Sequence, residues 1–72
     1  MLRVDWPRFG EAIRAQAVID ATQISAVRAK LGLSQARMID AAQGKPVGTE
    51  IYLTLCAWMG RDPLGFAKAT QP

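Results

Sequence analysis

Apolar residues in this chain recur three and four positions apart, as on helices packed along one side, and nowhere alternate like a half-buried strand. In "VDWPRFGEAIRAQA", Phe9, Ile13 and Ala17 share one face. Asp5 can cap this first helix, Pro7 suits its first turn, and Val4 can staple against Phe9. The pattern breaks at "VIDATQ", where Asp20, Thr22 and Gln23 are all candidate caps for a second helix. That helix, "ISAVRAKLG", puts Ile24, Val27 and Leu31 on one face and ends at Gly32, which tolerates a left-handed backbone. Ser34 is a good cap for a third helix, "QARMIDAAQ", with Leu33 placed to staple to Met38 and Gly44 to stop it. After the loop "GKPVGT", Gly48 or Thr49 opens a fourth helix, "EIYLTLCAWM". Its large side chains (Ile51, Tyr52, Leu55, Cys56, Met59) predict the most buried element. Gly60 ends it, Asp62 and Pro63 start a last short helix, and Leu64 and Phe66 can fold back on the core. The expectation is an all-α, compact bundle of four to five short helices, one domain over residues 1–72, with no strand.

Composition narrows the function classes. Apolar residues make up 50% and charged residues 21%, a globular balance that argues against disorder. A net charge of +3 and a pI near 9.6 are compatible with nucleic acid and equally with an ordinary soluble surface. The single cysteine, Cys56, has no intrachain partner and reads as a small core hydrophobe in a reducing compartment. No apolar run suits a signal peptide or a membrane span, so the cytoplasm is expected. The chain has no histidine, no metal-ligand cluster and no glycine-rich phosphate loop, so neither catalysis nor a cofactor is expected.

The second and third helices, joined through Gly32-Leu33-Ser34, have the lengths of a helix-turn-helix spanning about residues 22–43. Val27, Leu31, Leu33, Met38 and Ala41 sit where the two helices would clasp. On spacing alone, any αα-hairpin fits equally well. The wider order is more specific: a long first helix, "GLS", "QGKPV", then "LCAWMGRDP". Over residues 5 to 68 it resembles the lambda-repressor-like family of Cro-type helix-turn-helix domains. The resemblance implies a five-helix, sequence-specific DNA-binding regulator of transcription. It would be a small repressor of bacterial or phage origin, associated with the nucleoid and binding an inverted-repeat operator in double-stranded DNA as a homodimer.

The resemblance also implies residue roles. Gln23 matches a phosphate-contacting position and Ser34 the cap that opens the recognition helix. Gln35 matches the position that most often reaches a base edge, where glutamine can pair with adenine. Ala36, Arg37 and Asp40 match groove-facing positions, and Gln43 and Lys45 match backbone-contacting ones. Three residues depart from the family. Arg28 stands where a small residue is usual, with snorkelling outward as one way to fit. Ala42 replaces a glutamate that pairs with a first-helix arginine, whose position aligns with Ala17 here. Ile39 stands where a polar residue is common. A dimer contact is expected from the fourth helix and the tail, at Trp58, Arg61, Leu64 and Phe66. Ala36, Ile39 and Asp40 sustain an alternative: a helix-turn-helix scaffold that binds another regulatory protein, as an antirepressor or antiactivator does.

Overall fold

A computed structural model describes residues 2–69. Four α-helices pack into a compact globule: α1 (Trp6–Ile19), α2 (Ile24–Leu31), α3 (Gln35–Ala42) and α4 (Thr49–Met59). A 3-10 helix (Pro63–Phe66) follows α4, and strands β1 (Leu2–Val4) and β2 (Ala67–Ala69) pair antiparallel, Val4 opposite Ala67 and Leu2 opposite Ala69. No helix among the described residues is long and apolar enough to cross a membrane.

The small sheet corrects the expectation that no strand would form. Three residues are too few to show alternation, and each strand's hydrogen-bonding partner lies at the far end of the chain. The last helix is 3-10, four residues with Asp62 as its cap.

Local chemistry sets the helix boundaries. The Asp5 carboxylate accepts from the Arg8 backbone N–H, and Ser34 Oγ accepts from that of Arg37 at 3.2 Å, each satisfying an otherwise orphaned donor. Gln23 is the N-cap of α2, resolving the three candidates, though its side chain makes no capping bond. Both ends of the α2–α3 pair close by the same device. At the end of α2, Gly32 at φ +72° lets Leu33 N–H reach the Arg28 carbonyl at 3.0 Å. At the end of α3, Gly44 at φ +84° lets Lys45 N–H reach the Asp40 carbonyl at 2.8 Å.

The inward faces build one core of Phe9, Ile13, Val27, Met38, Ala41, Tyr52, Leu55, Cys56, Met59 and Phe66. Aromatic rings hold one side of it: Phe9 lies tilted against Tyr52 at 4.7 Å and edge-on at 5.1 Å from Phe66, and Trp6 packs edge-on against both Phe9 and Tyr52. Phe66, expected at a dimer interface, is instead 1% exposed. Its carbonyl accepts from Asp5 N–H at 2.7 Å, and the Arg8 and Arg61 guanidinium groups lie 5.5 and 4.9 Å from its ring centroid. Leu64 does not fold back on the core; it is 69% exposed.

α1 meets α3 through backbone. A Cβ on Gly10 would lie 2.8 Å from the Gly44 nitrogen and 2.9 and 3.0 Å from the Ala41 and Ala42 carbonyl oxygens. Reciprocally, a Cβ on Gly44 would lie 3.0 Å from Pro7 Cα. These neighbours are main-chain atoms and cannot rotate away. Gly10→Ala is therefore expected to cost about 1–3 kcal/mol from overpacking, outweighing alanine's helix-propensity gain of about 1 kcal/mol. Thermal melts should show Tm lower by roughly 4–8 °C for each kcal/mol lost. A variant as stable as the parent would contradict the close approach.

Tyr52 supplies a second check. Its hydroxyl donates to the Pro63 carbonyl, and burial foremost, then neighbouring Cys56 and Asp62, pushes its pKa from 10.0 up to about 12. The folded chain thus keeps the phenol neutral to higher pH than the unfolded chain does. The stability this provides is complete below pH 10.0 and is lost as pH rises towards about 12. The buried Cys56 thiol, also raised, acts in the same direction. Denaturant titrations should show Tyr52→Phe losing about 1 kcal/mol at neutral pH, with a flatter alkaline decline. An unchanged alkaline decline would place the titrating group elsewhere.

Candidate nucleic-acid interface

The α2–α3 pair forms one face of the molecule, and its geometry follows from what anchors each side chain. Met38 and Ala41 of α3 are 1% and 0% exposed, and Ala42 packs against the same core. Those residues fix the inward side, so Ala36, Ile39 and Gln43, at i, i+3 and i+7, line the outward side. All three are exposed, Ile39 by 41%. Gln35 is exposed at the amino end, beside the cap Ser34, and the first turn of α3 carries no acidic residue. Its free backbone amides therefore present the positive end of the helix to solvent.

Charge is distributed unevenly on this face. Arg37 pairs with Asp40 at 3.5 Å, one turn apart on the flank of α3. The Arg37 side chain is 59% exposed, so the pair is a solvated one of small net worth. Lys45 follows the Gly44 turn and is exposed, with no side-chain partner among the described residues. Gln23 and Gln43 are exposed and likewise without side-chain hydrogen bonds among the described residues. The structure thus gathers Ser34, Gln35, Ala36, Arg37, Asp40, Gln43 and Lys45 on and just beyond α3, with Gln23 at the start of α2.

Other basic residues brace the fold. Arg28 is half-buried and donates to the Leu33 carbonyl at 3.2 Å, so it ties α2 to the following turn rather than reaching out into solvent. Arg14 donates to the Ala42 carbonyl, an acceptor left without an intrahelical partner at the end of α3. Ala17, which the resemblance set opposite this position, is buried in the apolar core. The first-helix arginine that reaches residue 42 is Arg14, and it binds main chain there.

Two residues the sequence reading passed over, Gly10 and Arg14, set the position of α3. They lie four apart on one stripe of α1, beside the Phe9–Ile13–Ala17 stripe, and both meet the end of α3. A glycine in mid-helix, where it costs about 1 kcal/mol relative to alanine, was the available signal.

The four residues expected at a dimer contact separate. Phe66 is in the core, and Trp58 is half-buried against it. Arg61 and Leu64 are exposed. Leu64 borders an apolar groove of about 200 Å³ that Arg3, Val4, Tyr52, Pro63 and Ala67 also line. Compared with protein-family models, curated proteins and solved structures, the chain matches none.

Proposed function

We propose that this chain is a sequence-specific DNA-binding regulator of the helix-turn-helix type, with α3 entering the major groove. One observation carries the reading. An eight-residue helix is held by its inward face against the core and against α1, while Gln35 at its start and Gln43 and Lys45 at its end, polar side chains without internal partners among the described residues, flank an exposed outward face centred on Ala36 and Ile39. A major groove admits such a helix, and a fixed helix places side chains on base edges with little ordering cost. In this reading the Gln35 amide pairs with a base edge, Ile39 and Ala36 meet thymine methyls, and Ser34, Gln23, Gln43 and Lys45 reach phosphates. Arg37 leaves its weak pair with Asp40 for a phosphate or a guanine. A dimer would set two such helices on an inverted repeat.

A second reading has an observation of its own. The centre of the outward face is Ala36 and Ile39, with Asp40 beside them, which gives a protein partner an apolar patch bordered by a carboxylate. A helix-turn-helix scaffold that binds another regulator fits that surface.

Fluorescence anisotropy on duplex DNA from upstream of the protein's own gene, against a random duplex, separates the two readings. Neutralising about six phosphates per dimer should give a log-log salt slope near −5. Lys45→Ala should weaken both duplexes alike, whereas Gln35→Ala should lower preference for the upstream duplex by about 1–3 kcal/mol. No association with either duplex at low salt would favour the protein-binding reading. Equal losses on both duplexes from both variants would overturn the assigned roles.

A further inference from the structure

The most exposed large apolar side chains among the described residues are neighbours, Val18 at 80% and Ile19 at 75%, at the end of α1. They stand beside a cleft of about 400 Å³ lined by Asp20, Thr22, Ala26, Val27, Lys30 and Trp58. The turn between ridge and cleft is held in a costly conformation. Ala21 takes φ +53°, a left-handed backbone that is unfavourable for a residue with a Cβ. Hydrogen bonds from Ala21 N–H to the Val18 carbonyl at 3.1 Å and from Thr22 N–H to the Ala17 carbonyl at 3.0 Å keep it there. The turn sets Val18 and Ile19 on one side and Asp20 and Thr22 in the cleft wall.

The charges at the cleft are opposite and separately available. Gln16 Nε2 donates to Asp20 Oδ1 at 3.0 Å, leaving the second carboxylate oxygen, and Lys30 has no ion pair among the described residues. An apolar ridge next to a cleft with an apolar side, carrying one acid and one base, is self-complementary under a two-fold axis. Each copy offers what the other lacks, and each opposite charge appears twice.

We propose that this surface is the two-fold interface between two copies of the chain. Val18 and Ile19 of one protomer enter the cleft beside the partner's Trp58, and Asp20 faces the partner's Lys30. The proposal deepens the dimeric part of the regulator reading and rests on it for its purpose. It also moves the contact from the tail to the α1–α2 turn and keeps Trp58 as a contributor.

Sedimentation velocity of the full chain over micromolar to millimolar concentrations, without DNA, tests it. The parent should form a concentration-dependent dimer, and Ile19→Asp should weaken it at least about tenfold. Leu64→Asp, at the other exposed apolar groove, should leave it unchanged. Asp20→Lys and Lys30→Asp should each weaken association through like-charge contacts, and the double variant should restore it. Ile19 and Leu64 are solvent-exposed, and circular dichroism on each variant confirms that the fold is kept. A parent monomeric throughout, dissociation by Leu64→Asp but not Ile19→Asp, or no recovery in the double variant would each overturn the proposal. Because no DNA is present, the outcome is independent of whether the chain binds an operator.

Discussion

Gly10 lets the main chain of α1 come against the last turn of α3, where any Cβ would be 2.8 Å from the Gly44 nitrogen. That contact fixes more than a distance. It requires α3 to stop at Gln43 and reverse through Gly44, whose left-handed backbone turns the chain under Pro7. Arg14, four residues along, binds the Ala42 carbonyl that the ending helix leaves open. With α3 held at its end by main chain and along its inner face by Met38 and Ala41, its outward face is presented in one position. Side chains on a helix held so firmly lose little further freedom on meeting a partner.

The aromatic end of the molecule does a different job. Phe9, Tyr52 and Phe66 bring α1, α4 and the 3-10 helix together, while Asp5 N–H bonds the Phe66 carbonyl and β1 pairs with β2. A chain of 72 residues has little area with which to build a core, so closing its two ends on one ring cluster is an effective use of it. The closure also draws Arg8 and Arg61 onto Phe66 and sends Arg14 and Arg28 to backbone carbonyls. Much of the positive charge therefore braces the fold, and Arg3, Lys30, Lys45 and Lys68 are the cations without a side-chain partner among the described residues.

Helix periodicity and caps carried most of the architecture in the sequence. Asp5, Ser34 and Asp62 cap where their side chains and the following apolar spacing indicate, and Phe9, Ile13 and Ala17 form the inner stripe of α1. What escaped were long-range effects. The Leu2–Val4 ladder depends on residues more than sixty positions away, and Phe66, read both as able to fold onto the core and as a dimer contact, is committed to the core beside the Phe9 ring of α1. That Arg14 and not Ala17 reaches the end of α3 follows from the Gly10 contact, which fixes the stripe of α1 that meets that helix. On the candidate surface, the i, i+3 spacing of Arg37 and Asp40 already allowed the ion pair that forms at 3.5 Å, and Gln35, Ala36, Ile39 and Gln43 are all exposed; how far Ile39 stands in the open, at 41%, follows from which residues of α3 the core takes up.

The central claim, that α3 is the presented and reading element, meets its most direct test in the amide spectrum of ¹⁵N-labelled protein titrated with the upstream duplex. The largest shift changes should fall at Gln23, from Ser34 to Arg37, and at Gln43 and Lys45, with Leu55, Cys56 and the Phe66 region little affected. Changes confined to the α1–α2 turn or to the Leu64 groove, with α3 silent, would contradict it.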